Sequence, residues 1–396
     1  MDSATSQIGE PAALSVQERD RRYAIIRAQL SERGVDALIA TGTHLLYLSD
    51  GLPGEMFGIL PTDPGEAFTA ILTWRYLADI SPQILLDAQQ WVGDIRSGRD
   101  ASPVAERLKQ LGLQDRTIGF AGPLSQRAYK QITSALPSVK LVDVSDILVD
   151  VRTIKSAEEL ALIERANRIF DVAVQRVHEF ARPGMLGRQV VQEGKRAMWD
   201  AGGDLEATFK FNFGPVAAQN PVLSELCLNR RIQEGDIGTL TAHSHFHHYA
   251  GHTDQEIAFG KPNPRHVAMF DAVLKVREEV LKHIKAGATH RDLVDAYESA
   301  AKQTGFKTSP HSQMHLYGID VPEFPGPAFK TDDPKGGKGL GGSGNFILKA
   351  GMVYSVSPTL IDDKTGDSVL GGTSFVVTDN GYRNFCDRPV ALLVAH

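Results

Sequence analysis

Apolar positions in the first part of the chain follow two periods. Tyr23, Ile26 and Leu30 recur at helical spacing behind Ser15 and Glu18, a pair with the spacing of a capping box, and they predict a helix. The short apolar runs "DALIAT", "FTAILTW", "TIGFAG" and "KLVDVSD" follow, separated by polar, helix-like segments. Strands alternating with helices predict an α/β domain. At "VRTIKSAEELALIERANRIFD" the texture changes. Ser156 and Glu159 form a second capping box, opening a helix with Leu160, Ile163 and Phe170 on one face. The boundary is placed near Lys155, giving domains 1–154 and 155–396. Further helices are predicted over about 184–200, 264–285 and 290–304, and strands over 236–260 and 351–379. The glycine-rich "DDPKGGKGLGGSGN", 332–345, reads as a loop, because no P-loop Lys-Ser/Thr follows its glycines.

Composition narrows the class. The 396 residues are 42% hydrophobic and 23% charged, an ordinary globular balance with enough chain for two cores. A formal charge of −6 argues against nucleic acid or an anionic membrane as the main partner. No run approaches the length of apolar sequence needed to span a bilayer. The N-terminal "MDSATSQIGEPAAL" lacks a basic segment and an apolar core, so it reads as a short leader without an export signal. Two cysteines, Cys227 and Cys386, suit a reducing cytoplasm.

Candidate chemistry concentrates in "AHSHFHHYAGHTDQEIAFG", 242–260, which holds five of the chain's thirteen histidines. Strand alternation puts His243, His245 and His247 on one face, and Asp254 with Glu256 on one face. Imidazoles so placed, with His315 and Asp254, suit one zinc or iron. Alternatively, the paired carboxylates and histidines handle protons: a carboxylate raises a neighbouring histidine pKa, and burial raises the carboxylate's own. The plain alternative is a solvated hairpin edge. His311 and His315 sit four apart in "SPHSQMH", the spacing that aligns residues on a helix, although they are placed flanking a loop.

The segments "IKSAEELALIERA", "EGDIGTL", "HTDQEIAFG", "MHLYGIDVPEFP", "LKAGMVYSVSP" and "FVVTDNG" resemble, in order over roughly residues 150–381, those of the creatinase / aminopeptidase P family. The resemblance implies an α/β N-terminal domain followed by an α+β pita-bread catalytic domain. It also implies where a dinuclear metal would be held in the family's peptidases: two aspartates, a histidine and two glutamates. Here those positions carry His243, Asp254, His315, Ser357 and about Gly372. With three of the five ligand types replaced, no metal and no cofactor are expected, and metallopeptidase chemistry is not implied.

Creatinase, the metal-free relative, is the instructive comparison. Its guanidinium-contacting glutamate falls on Glu256. Its general-base histidine falls on Gln219, in "AAQNP", so that role passes to His243, His252 or His315. Its cross-dimer loop matches "MFGIL", which keeps Phe57 and Gly58 but has Ile59 at the arginine. The resemblance thus implies a metal-independent hydrolase of a C–N bond in a small polar metabolite. Glu256, His315 and His243 are its catalytic candidates. Asp254, His252, Phe57, Gln219, His311 and Ser357 are the substrate-binding candidates. A homodimer is implied, the N-terminal domain closing the neighbour's site. A His-rich single-metal hydrolase or lyase and a non-catalytic binding module remain as alternatives.

Overall fold

Behind Ser15, helix α1 (Val16–Glu32) buries Tyr23, Ile26 and Leu30 as their spacing predicts. The capping box is only half made. Ser15 Oγ accepts from the Glu18 amide at 3.1 Å, but the Glu18 carboxylate turns to Arg21 and Arg22, where two guanidinium groups outcompete one backbone N–H. The computed structural model describes residues 14–52, 54–73, 86, 89–205, 207–214, 227–308, 313–323, 346–386 and 388–396. Gln219, His311 and the 332–345 loop lie outside them. The chain divides into two units, Ala12–Arg152 and Thr153–His396.

The first unit continues with β1 (Ala37–Ala40), α2 (Gly42–Ser49), β2 (Glu55–Pro61), β3 (Thr69–Leu72), β4 (Asp94–Ser97), α3 (Ser102–Gln110), β5 (Thr117–Ala121), α4 (Gln126–Ala135), β6 (Lys140–Asp143) and α5 (Ser145–Thr153). Its six strands form one sheet in the order β4-β3-β2-β1-β5-β6. The four apolar runs all become strands. "EMFGILP", read from sequence as a loop, is instead the internal strand β2, antiparallel to both β1 and β3. Phe57 packs in the core with Ile39, Ile59 and Ile71 and is 6% exposed, so its ring is held inside its own unit rather than offered to a substrate.

The second unit opens with α6 (Ala157–Phe180), whose Ser156–Glu159 capping box is complete at 3.2 and 2.8 Å. There follow α7 (Gly187–Asp200), β7 (Thr208–Phe213), β8 (Ile237–Phe246), β9 (Tyr249–Phe259), α8 (Pro264–Leu281), α9 (His290–Gln303), β10 (Lys307–Thr308), β11 (Gln313–Leu316), β12 (Val353–Ser357), β13 (Thr359–Ile361), β14 (Ser368–Leu370), β15 (Thr373–Thr378), β16 (Gly381–Asn384) and β17 (Leu393–Ala395). One sheet runs β17-β9-β8-β7, a second β11-β12-β15-β16, and a third β10-β13-β14. One core joins α6 and α7 to the first sheet through residues such as Phe170, Met198, Phe209 and Leu240. The other packs α8 and α9 against Tyr354, Val356 and Phe375. Strand alternation turns the opposite face of β12, Ser355 and Ser357, away from that second core and towards β9, which contacts β12, β14 and β15.

The β8–β9 hairpin sets the site. Its turn is the pair His247-His248, both with positive φ (48° and 69°), where Asn-Gly is usual. The Asp204 carboxylate accepts from both their amides, at 3.1 and 2.7 Å, which offsets the strain of two non-glycine residues there. His247 is therefore a turn residue and not the third member of an alternating His face, because the strand ends at Phe246. On the far side of the hairpin, Ser244 Oγ donates to the Ala166 carbonyl at 2.6 Å. A Cβ on Gly251 would lie 2.5 Å from backbone atoms of Ala166 and Asn167 in α6. Among the described residues no helix is long and apolar enough to cross a membrane, and Cys227 and Cys386 are not joined in a disulfide.

Because backbone cannot yield as a flexible side chain does, Gly251→Ala should force β9 off α6 and destabilise the second unit by at least the ~1–3 kcal/mol of ordinary overpacking. A urea titration giving an unchanged midpoint would refute this close-packing account.

Candidate active site

Register builds the site before any side chain is considered. Across the hairpin Thr239 faces Glu256, Thr241 faces Asp254 and His243 faces His252. Every second residue points the same way, so these six share one face and form three rungs. The sheet opposite supplies a matching floor: His315 pairs with Ser355 and Ser355 with Ser374, while Ser357 lies one alternation on.

In the first rung Glu256 is 1% exposed. Its Oε1 accepts from Thr239 Oγ1 at 2.6 Å and from the Leu370 amide at 3.2 Å. Its Oε2 is buried with no hydrogen-bond partner among the described residues. In the second rung Asp254 Oδ1 accepts from Thr241 Oγ1 at 2.7 Å and Oδ2 from Ser357 Oγ at 2.8 Å. In the third, the His252 ring lies between two others: His243 edge-on at 4.9 Å between centroids, and His315 stacked at 5.1 Å. The His315 Nδ1 lies 3.0 Å from the Leu316 carbonyl, which can only accept, so Nδ1 carries the proton and Nε2 the lone pair. Ser374 Oγ donates to the His252 carbonyl and anchors the rung from behind.

Electrostatics overturn one expectation. The histidines are not raised by the carboxylates. Burial dominates, followed by the neighbouring imidazole of His252, and drives His243 to about 2 and His315 to about 3. Asp254 pulls His315 the other way only weakly. Burial raises Asp254 against its two hydroxyl donors, and raises Glu256 to about 8. Near neutrality the His243 and His315 imidazoles are uncharged and Glu256 is largely protonated.

The dinuclear metal implied by the fold does not fit these residues. Both oxygens of Asp254 are engaged by hydroxyl groups. At 372, a Cβ would lie 2.6 Å from Ser357 Oγ and 2.8 Å from Asp254 Oδ2, so no glutamate fits there without displacing both. The second rung is a closed Thr241–Asp254–Ser357 hydrogen-bonded set where carboxylates would have to converge. His243, His245 and His247 do not converge either: His245 pairs with Ala250 nearer the tip, and His247 is in the turn. Among the described residues no group of three or more His, Cys, Asp or Glu side chains is disposed to hold a metal.

Of the candidate residues, Glu256, Asp254, Ser357, His243, His252 and His315 come together. Phe57 lies in the core of the other unit. His315 sits on strand β11, not on a helix. Thr239, Thr241 and Ser355 had not been singled out. Extending the period-2 reading back through "GTLTAHS" and "YSVSP" finds all three, because they share parity with His243 and Ser357.

The pKa of Glu256 has a consequence for stability. The folded value lies above the ordinary 4.5, so its protonated form contributes stability that is complete below about 4.5 and lost as pH climbs through about 8. Glu256→Gln, neutral at every pH, should match the native protein in thermal midpoint near pH 5 and exceed it near pH 9. Equal midpoints at both pH values would mean that Glu256 is not held protonated.

Comparison with known proteins places these features in a context. Residues 161–379 match metallopeptidase family M24, and residues 22–154 match the creatinase/prolidase N-terminal domain. The uncharacterized peptidase YqhT of Bacillus subtilis is 24% identical over 373 residues, covering 93% of this chain and 98% of its own. The creatinase of a Bacillus species (strain B-0618) is 24% identical over 406 residues, covering 95% and 92%. Among solved structures, an Xaa-Pro dipeptidase from Bacillus anthracis superposes with a TM-score of 0.77 at 21% identity, covering 95% of this chain and 99% of that one. The prolidase from Pyrococcus horikoshii gives 0.76 at 19%, covering 94% and 100%. These likenesses establish the two-domain fold.

Proposed function

The chain belongs to metallopeptidase family M24, a family of hydrolases, and from that premise we propose that it is a metal-independent hydrolase cleaving a C–N bond of a small polar metabolite. One observation carries the reading: the second rung, where the family's metal would bridge, is closed by the Asp254–Ser357 hydrogen bond over Gly372. The groups on either side of it still have acid–base capacity.

The chemistry follows from the protonation states. Glu256, protonated near neutrality, donates its proton to the nitrogen that leaves. His315, with Nδ1 tied to the Leu316 carbonyl, presents Nε2 to the attacking water. It is a weak base at rest, and the nearby Asp254 favours the imidazolium as it forms. His243, half-buried and neutral, and the adjacent His252 supply hydrogen bonds to the substrate. The relatives named Xaa-Pro dipeptidase leave a peptide C–N bond within the same reaction type. Their route through two metal ions is not supported by the residues present here.

Two measurements test this. The purified protein should hold well under one equivalent of zinc, iron, manganese or cobalt, and chelator should leave activity intact; a stoichiometric metal whose removal abolishes turnover would replace this reading with the metal-dependent one.

Turnover can be followed as amine or ammonia release from a panel of amide- and amidine-bearing metabolites. Glu256→Gln should lower it by roughly 10²–10⁴-fold with the fold intact, as expected for loss of a general acid. His245→Gln, one step towards the tip, should cost under about tenfold. Near-normal turnover by Glu256→Gln, or total loss in His245→Gln, would sink the assignment.

A further inference from the structure

Helix α6 carries a buried polar side chain in the middle of its apolar face. Asn167 has no exposed surface and stands among Ile163, Ala166 and Phe170. Asparagine suits a helix interior poorly, because its side chain competes for backbone hydrogen bonds. Here Nδ2 donates to the Ile163 carbonyl, one turn back, at 2.8 Å. Oδ1 is buried with no partner among the described residues, and a buried polar atom left so calls for an explanation. The orientation of the amide is fixed, because the Ile163 carbonyl can only accept and must face Nδ2. The second Nδ2 proton goes to the Tyr317 hydroxyl, at 3.2 Å, just past the end of β11.

From there the hydrogen bonds run one way. Tyr317 is fully buried, and its hydroxyl also bonds Ser374. Ser374 has a single hydroxyl proton, which it gives to the His252 carbonyl, so it accepts from Tyr317. The chain passes from Asn167 through Tyr317 and Ser374 to His252, each hydroxyl receiving one proton and giving its own. It ends on the outer edge of β9. Among the described residues the ladder to β17 covers Ile257–Phe259, beyond the reach of His252. At His252 that edge is held by Ser374, and nearby by the Ala250 amide, which donates to the Gly318 carbonyl at 2.7 Å.

Tyr317 meets the site through its ring as well. Alternation puts it on the His315 face, and its amide extends the ladder to the Val353 carbonyl at 3.2 Å. The ring stands edge-on to His252, 6.1 Å between centroids, so His243, His315 and Tyr317 all pack on that imidazole. We propose that Tyr317 is the positioning residue of the imidazole rung, with Asn167 orienting its hydroxyl, so that the chain to the His252 carbonyl sets where His315 aims Nε2. The inference rests on the hydrolase reading, in which His315 activates the water, and adds two residues that touch no substrate. Misplacing a reacting group by about 1 Å costs up to ~10²-fold in rate, so a side chain that does little for its own helix still matters for turnover.

The test separates aim from stability in the full chain. Tyr317→Phe keeps the ring but strands the second Asn167 proton, and should lower both the thermal midpoint and kcat for amine or ammonia release. Adding Asn167→Ala removes the stranded amide with its unpaired Oδ1 and favours the helix. The double variant should therefore regain most of the midpoint, while kcat stays down by about tenfold and KM moves by less than about twofold. In nitrogen-15 spectra of histidine-labelled protein, the His315 ring signals, assigned with His315→Gln, should shift in the double variant. Those of His178, near the end of α6, should not. Recovery of kcat together with the midpoint would make the chain a purely structural tie and overturn the proposal, as would unmoved His315 signals. If Glu256→Gln loses turnover while the double variant keeps it, the positioning role falls and the hydrolase reading stands. If the native protein releases no amine from any of the metabolites, the hydrolase reading falls, and the His315 signals alone decide whether the chain sets the rung.

Discussion

The Asp254–Ser357 hydrogen bond is the contact on which the rest of the site depends. It closes the gap between the β8–β9 hairpin and β12 at the point where the fold of this family would otherwise hold cations. A buried carboxylate must be neutralised, bonded or paired with metal. Here two hydroxyl groups supply the bonds, and the glycine at 372 leaves the room they need. With that rung filled by hydrogen bonds, the residues present leave no room there for an ion between the groups above and below it. Glu256 stays protonated against Thr239 and the Leu370 amide, and the His252 ring lies between His243, edge-on, and His315, stacked.

Much of this was legible in the sequence, because period-2 alternation survives any change of residue type. The hairpin, the shared face of Asp254 and Glu256, and the loss of carboxylates at 243, 357 and 372 follow from spacing and motif order. The histidine pKa values did not follow. Proximity to carboxylates predicts a rise, whereas burial imposes a larger fall, and burial depends on packing between strands distant in sequence, such as β9 against β12 and β15. "MFGIL" was misread for a related reason. Taken by motif it is a loop; in the fold it is an apolar strand between two others, and Phe57 fills its own core. His247 was misassigned because an alternating series gives no sign of where its strand ends. Asp204, remote in sequence, makes a two-histidine turn tolerable.

The hairpin also separates what it packs from what it presents. Ser244 and Gly251, cross-strand partners, meet helix α6 at its backbone. Their neighbours His243 and His252, also partners, face the opposite way into the rungs. One face is bounded by atoms that cannot move. The other meets side chains, which can be exchanged for others of similar bulk.

This parity has an evolutionary consequence. Because register is held by one set of alternate residues and chemistry is carried by the other, mutations that exchange an aspartate for a histidine, or a glutamate for a serine, do not slide the strand. A lineage can therefore pass through intermediates that have lost one reaction and not yet acquired another while the protein remains folded. Functional drift along such a hairpin is limited by selection on activity, not by the risk of unfolding.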